Sequence, residues 1–237
     1  MPSSTRNRGK NSGDDQLFGR NQHPILKQAV DDQCYLLSKG YGSTSVLELV
    51  GNRYKLNKRQ REAILRIASS DEEIKHRKAS ECNSNELRNS IVEIDGFNLL
   101  IILESALSGA YVFKCRDGCY RDISSVHGSY KRVVKTKEAI VMVGDALNHF
   151  EVAKAIWYFD APVSNSGRLK TLLLEISQTK GYKWDVELLN SPDRKLARSK
   201  NIVISSDGWI LDRVEKWFNL AGYLIEHRIT SETIVAV

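Results

Sequence analysis

The spacing of apolar residues changes period partway along the chain. From Pro24 onward, Ile25, Leu26, Ala29, Val30, Tyr35, Leu36 and Leu37 recur at helical intervals, and Gly40 offers a stop. In GSTSVLELVGNRYKLNKRQREAILRIA, Ser43 or Thr44 is placed to cap a short helix through Leu49, and VGNRY supplies a turn. Asn57 is placed to cap a second helix with Ala63, Ile64 and Ile67 on one side and basic residues elsewhere. Two short helices across a glycine turn, the second basic, have the outline of a helix-turn-helix, which is also the outline of a packing hairpin. Residues 1–22 carry almost no apolar content and read as a disordered tail. The expected division is a tail at 1–22, a basic helical module at 23–80, a linker at 81–89 and a second domain at 90–237.

Beyond the linker, short apolar runs alternate with helical patterns. Strands are expected at IVEI (91–94), YVFKC (111–115), AIWYF (155–159), VELL (186–189), IVIS (202–205) and YLIEH (223–227). Helices fit FNLLIILESAL, residues 135–150, SGRLKTLLLEISQTKG and GWILDRVEKWFNLAG. This alternation implies an α/β fold: a mostly parallel sheet with helices on both faces, preceded by a small all-helical module.

At 237 residues and 41% hydrophobic content, the chain can bury one large core or a core plus a satellite. No apolar run approaches the roughly 18–20 residues of a membrane span, and MPSSTRNRGKNSGDDQ has no signal-peptide apolar region, so a cytoplasmic protein without membrane contact is expected. Cys34, Cys82, Cys115 and Cys119 fit neither a paired zinc motif nor a disulfide framework and read as reduced thiols. The net charge of +6 favours anionic partners. It is concentrated in three clusters: Arg53, Lys55, Lys58, Arg59, Arg61 and Arg66 against the single acid Glu62; Lys131, Arg132, Lys135 and Lys137; and Arg194, Lys195, Arg198 and Lys200. Each alone reads as a solvated face, and three together point toward nucleic acid.

The acids carry the chemistry. Strand IVEI runs into Asp95 in IVEIDGFNLL, AIWYF into Asp160 in WYFDAPVSNSGR, and IVIS, one serine later, into Asp207 in VISSDGWILD. A lone aspartate there is usually a helix N-cap. Three at the carboxyl edge of one parallel sheet, where such sheets bind ligands, read instead as a site. Clustered carboxylates repel one another unless a cation is present, and hard oxygen donors suit Mg2+ or Mn2+ rather than zinc. Acids with a hard metal on a basic chain suggest phosphodiester hydrolysis. A haloacid dehalogenase-type site needs a second Asp two residues after the first, whereas Asn98 lies three after Asp95. A topoisomerase-primase site needs a DxD pair, whereas Asp207 and Asp212 are five apart. No GxGxxG or GxxxxGK[ST] follows a strand.

At these residues the chain resembles the PIN-like nuclease superfamily in the broad sense that includes the NYN branch. IDGFNLL is similar to the first-strand Asp-Gly-aromatic-Asn signature, YFDAPVS to the middle-strand Asp and ISSDGWILD to the late Ser-Asp motif. With the basic segment in front, the arrangement over roughly residues 24–227 is similar to an uncharacterised prokaryotic domain family grouped with PIN-like proteins. The resemblance implies a metal-dependent endoribonuclease with Asp95, Asp160 and Asp207 as catalytic metal ligands, Asn98 bonded to Asp95 or a metal-bound water, and Ser206 orienting the loop. For the fourth acid Glu104, Asp122 and Asp145 compete, and Asp212 either joins the metal cluster or favours its helix. Nucleic-acid contacts are expected from His127, Tyr130 and Arg132 in HGSYKR, with Tyr130 stacking on a base. Ser164 and Arg168 around the NSG turn, and Arg53, Lys58, Arg59 and Arg61, are expected to meet the backbone. RNA is favoured over DNA by the resemblance alone. The rivals are a nucleic-acid-binding or regulatory protein with a degenerate site, and a homodimer or protein complex formed through the N-terminal helices.

Overall fold

A computed structural model of the chain describes residues 7–124, 130 and 133–237. Its N-terminal part contains α1 (Asp14–Phe18), α2 (His23–Ser38), α3 (Ser43–Arg53), α4 (Lys58–Ile67) and α5 (Asp71–Ser80). Local chemistry sets the starts: Pro24 sits in the first turn of α2, and α4 opens on a reciprocal cap. There Gln60 N donates to Asn57 Oδ1 at 3.0 Å while the Gln60 side chain accepts from Asn57 N at 3.2 Å. Val46, Val50, Ala63, Ile64 and Ile67 close inward on Leu26, Ala29 and Val30. The expected disordered tail is corrected from residue 7 onward. Phe18 is fully buried, with its ring centroid 5.4 Å from Tyr111 and 5.1 Å from Phe113, and Asp14 pairs with Arg59 at 2.8 Å. One aromatic anchor and one buried ion pair order a segment whose average composition is polar.

A 3-10 turn at Ser84–Leu87, anchored by the buried Leu87, occupies the expected linker. It leads into β1 (Ile91–Asp95), α6 (Gly96–Leu107), β2 (Val112–Lys114), β3 (Tyr120–Asp122) and α7 (Thr136–His149). Then come β4 (Lys154–Asp160), α8 (Ser166–Lys180), β5 (Trp184–Leu189), α9 (Pro192–Leu196), β6 (Ile202–Ile204), α10 (Gly208–Leu211), α11 (Leu220–Arg228) and β7 (Ile234–Ala236). The main sheet has the order β5-β4-β1-β6, parallel throughout. The fold is therefore α/β, a parallel sheet flanked by helices with a helical module in front. Its core gathers Ile94, Trp157, Phe159, Leu169, Leu173 and Ile204 around α6, most of whose residues are buried.

Three expectations are corrected. YVFKC does form a strand, β2, but in a second sheet of order β3-β2-β7. Tyr111, Phe113 and Cys115 alternate onto one face and join the core of α2, α3 and α4, so the helical module and the α/β unit share apolar packing. YLIEH lies in helix α11, where Leu220, Ala221, Leu224 and Ile225 are buried at helical spacing and Asn219 caps the start through Gly222 N at 3.0 Å. Its β-prone composition yields to tertiary packing. GWILDRVEKWFNLAG is not one helix, because α10 stops at Leu211 and the chain then runs beside β6. Val203 N donates to Lys216 O at 3.0 Å and Phe218 N to Val203 O at 2.9 Å, while the Trp217 side chain is fully buried. All four cysteines are free. Among the described residues no helix is long and apolar enough to cross a membrane.

Candidate active site

The strand order locates the site before any side chain is considered. From β1 the chain steps to β4 and then β5 on one side, and β6 returns to the other side of β1. The crevice beyond the carboxyl ends of β1 and β6 is thus the topological switch point, where open parallel sheets bind ligands. Asp95 ends β1 there, and Ser205, Ser206 and Asp207 follow β6. Gly96 lets α6 begin directly after Asp95, since a Cβ at this position would lie 2.3 Å from the Phe159 ring. Ser205 Oγ donates to Asp95 Oδ2 at 2.8 Å and accepts from Asp207 N at 3.0 Å. Ser206 N donates to Asn98 Oδ1 at 2.9 Å, tying α6 to the loop after β6, and Asp207 Oδ1 caps α10 through Trp209 N at 2.8 Å.

Asp95, Asp122, Asp193 and Asp207 line one cavity of about 340 Å³, together with Asn98 and Arg66. Burial pushes the Asp95 carboxyl up to about 7, and the charges of Asp193 and Asp207 push in the same direction against the Ser205 hydrogen bond. Asp193 is raised by burial and then by Asp207 and Asp160; Asp160 is raised by burial. Asp122 is raised by burial, opposed by the Ser124 N–H at 2.5 Å and by Arg66. Arg121 also lines the cavity, but its guanidinium is committed: Nη2 to Asp117 Oδ2 at 2.5 Å, Nη1 to Asp117 Oδ1 at 3.0 Å, Nε to Ser206 O at 2.7 Å. Arg66 stands exposed at the rim and forms no ion pair with any described residue. Among the described residues the cavity is therefore acidic, with Arg66 at its edge as the cation not held in an ion pair.

The structure brings Asp95, Asp207 and Asp122 to the cavity wall. Asp160 sits beside it: Asp95 is in register with Tyr158 of β4, so Asp160 stands two residues further along the same edge, near enough to act on Asp193. Asp193 and Ser205 are the residues that sequence reasoning missed. SPDRK stands out in sequence for its basic residues, although its Pro-Asp pair opens a helix directly after a strand, the same signal that singles out the other acids. Ser205 is the first serine of ISSD, and it is this hydroxyl that meets Asp95; the expected Ser206 acts through its backbone only. Asn98 lines the cavity; its side-chain oxygen accepts from Ser206 N, while its backbone amide acts on the Asp95 carboxylate as a hydrogen-bond donor, the partner expected for this residue.

Other candidates are held elsewhere. Asp145 lies on α7 and accepts from the Tyr182 hydroxyl at 2.6 Å, away from the cavity. Asp212 is gripped by Arg77 at 2.7 and 2.9 Å. Glu104 is fully buried and bonds Arg8 at 2.6 Å, Thr136 at 2.5 Å and the Tyr130 hydroxyl. Tyr130 is fully buried, its ring 5.1 Å from Phe97, so it presents no face to a base. Ser164 and Arg168 are exposed at the start of α8, outside the cavity wall. His127 and Arg132 lie outside the described residues. Part of the basic face expected of α4 is spent on packing. Arg59 pairs with Asp14, while Arg61 folds over Gly51 and donates to Leu56 O and Asn52 Oδ1, each at 2.9 Å. Arg53 lies 3.5 Å from Asp32, and Lys58 is exposed.

Among the described residues no three Asp, Glu, His or Cys side chains close around a point that would hold one metal ion. The donor chemistry nevertheless suits Mg2+ or Mn2+. Such an ion is commonly bound by one or two carboxylates while keeping several waters, and Asp95 with Asp207 supplies such a pair in a region of unbalanced negative charge.

Comparison with known proteins follows the same two-part layout. Residues 25–79 match the family described as "Protein of unknown function (DUF434)". Over 204 residues the chain is 34% identical to the uncharacterized protein MJ0935 of Methanocaldococcus jannaschii, covering 85% of this chain and 97% of that protein. No solved structure matches. Residues 84–223, which hold the main sheet and the acids of the cavity, match "Domain of unknown function (DUF5616)", and the chain belongs to that family.

Proposed function

We propose that the chain is a divalent-metal-dependent ribonuclease that hydrolyses phosphodiester bonds at the switch-point cavity, acting on RNA in the cytoplasm. The observation that carries the reading is the convergence of Asp95, Asp122, Asp193 and Asp207 on one cavity, with Asp95 held near 7 and the uncommitted Arg66 at the rim. The resemblance of IDGFNLL, YFDAPVS and ISSDGWILD to PIN-like motifs supports it. Mg2+ or Mn2+ held by Asp95 and Asp207 would supply positive charge against the phosphate oxygens and make a water more acidic. The chain's own residues do the rest. Ser205 orients the Asp95 carboxylate, Asn98 fixes the loop through Ser206 N, and Arg66 meets the phosphate. Asp193, whose carboxyl is raised above its ordinary value by burial and by the charges of Asp207 and Asp160, is placed to take a proton.

The test is cleavage of labelled single-stranded RNA and DNA by the full chain in Mg2+, in Mn2+ and in chelator. Asp95→Asn and Asp207→Asn are expected to lose at least about 100-fold in cleavage while binding persists, with Asp145→Asn unaffected. Unchanged cleavage in both cavity variants removes the proposal. A second reading, a nucleic-acid-binding or regulatory protein with no hydrolytic step, is favoured by one observation: among the described residues the acids do not close three-fold on a single ion position. Metal-independent RNA binding with no cleavage under any divalent ion decides for it.

A further inference from the structure

The third basic cluster of the sequence lies beside the acids. Asp193 is in the first turn of α9 and Asp207 caps α10, so both short helices begin at the acidic cavity. Their inward residues, Leu196 of α9 with Ile210 and Leu211 of α10, share one buried apolar cluster with Val214 and Trp217. Arg194, Lys195 and Arg198 along α9 and just beyond it, and Arg213 after α10, are exposed, and none forms an ion pair with a described residue. Lys200, the last of the cluster, pairs with Glu215. Trp209 of α10 is exposed with them. The chain's other three tryptophans are buried, whereas Trp209 keeps 46% of its surface open to water two residues after Asp207. So large an apolar ring is seldom left that exposed. It is also fixed in place: Trp209 N donates to Asp207 Oδ1 at 2.8 Å, Arg213 Nη1 donates to Trp209 O at 2.8 Å, and the Arg213 guanidinium carbon stands 4.2 Å from the ring centre.

We propose that the exposed sides of α9 and α10 form a track for single-stranded RNA beside the acidic cavity: Trp209 stacks one unpaired base, and Arg194, Lys195, Arg198 and Arg213 meet the phosphates around it. An indole ring offers a face that any base can cover, and a base is free to cover it only where the strand is unpaired. The cavity itself repels a polyanion, so a strand delivered to it must gain its affinity from cations outside. Those of α9 and α10 have no counter-charge to give up and stand on the helices that carry Asp193 and Asp207. A protein partner fits less well, because the cores of protein interfaces are depleted of charge, whereas here one aromatic ring is exposed together with unpaired cations. The inference rests on the ribonuclease reading for its substrate class and adds the residues that hold the strand.

The full chain is titrated in chelator with an unstructured single-stranded oligouridylate and with a blunt RNA duplex of the same length, following tryptophan emission and the anisotropy of labelled RNA. The single strand is expected to quench the emission, since Trp209 is the exposed tryptophan, and the duplex to leave it unchanged. Trp209→Ala is expected to weaken the single strand about 5- to 150-fold, the worth of one base–aromatic stack. As a surface change it should melt within about 2 °C of wild type. Trp209→Phe is expected to keep most of the affinity and lose the quench. Arg194→Gln combined with Arg198→Gln should lower the slope of log K against log salt by about 1.4, two phosphate contacts. Lys180→Gln, at the far end of α8, should leave that slope alone. Single-strand affinity unchanged in Trp209→Ala, a slope unchanged in the double variant, or a duplex bound as tightly as the single strand overturns the track. The two proposals fail separately. Cleavage that depends on Asp95, with kcat and KM unchanged in Trp209→Ala, keeps the nuclease and removes the track. Binding that depends on Trp209, with no cleavage in any divalent ion, keeps the track and removes the hydrolytic site.

Discussion

Replacing Asp95 by asparagine removes one buried negative charge and keeps an oxygen for the Ser205 hydroxyl. In the metal-free protein the Asp95 carboxyl sits at about 7 against an ordinary 3.8. At 1.36 kcal/mol per tenfold change in proton affinity, that difference is a ceiling of about 4 kcal/mol. The folded state holds this proton where the unfolded chain has already released it, so the group costs nothing below about pH 4. Stability then falls as pH rises toward 7, and above that the whole penalty is present. A neutral asparagine side chain carries no such cost. At pH 8 in chelator, Asp95→Asn should therefore be the more stable protein. Half the ceiling, about 2 kcal/mol, raises the melting temperature of a domain this size by roughly 4–8 °C. The assay is scanning calorimetry of both proteins from pH 5 to 8, with the gap opening as pH rises. A variant less stable than wild type at pH 8, or a gap that does not change with pH, refutes the claim that Asp95 is an uncompensated buried acid. Millimolar Mg2+ should then raise the wild-type melting temperature at pH 8 and leave that of Asp95→Asn nearly unmoved.

Arg77→Met removes the partner of Asp117 at 2.7 Å and of Asp212 at 2.7 and 2.9 Å. Breaking such a buried pair costs about 3–5 kcal/mol, here near the lower end because Arg121 still holds Asp117; urea unfolding within about 1 kcal/mol of wild type would contradict it. Gly96→Ala drives a methyl group to 2.3 Å from the Phe159 ring and is expected to cost about 1–3 kcal/mol in a thermal melt. An unchanged melt would mean that α6 does not need this close approach. Arg66→Gln should lower the slope of log K for RNA against log salt by about 0.7, one phosphate contact, whereas Arg59→Gln should destabilise the protein and leave the slope alone. Equal slopes for wild type and Arg66→Gln would take Arg66 off the phosphate path.

The sequence alone determined what depends on nearest neighbours and on period. IVEI, AIWYF and IVIS read as strands because short apolar stretches alternate with helical ones, and the acids beyond their ends were visible because an aspartate just after such a run is conspicuous. Asn57 was legible as a cap because its partner, Gln60, lies three residues away. What no local pattern holds is which ends meet. Only the return of β6 to the far side of β1 sets Ser205 against Asp95, and only the path of α9 beyond β5 brings Asp193 into the same cavity. The basic residues of α4 show the same limit in reverse. Arg59 looks free in sequence because its partner Asp14 is 45 positions away, and Glu104, Asp145 and Asp212 are likewise claimed by distant arginines, tyrosines and a threonine. Charge and hydrogen-bonding capacity are properties of a residue, but whether they remain available to a ligand depends on what the tertiary fold has placed within about 3 Å.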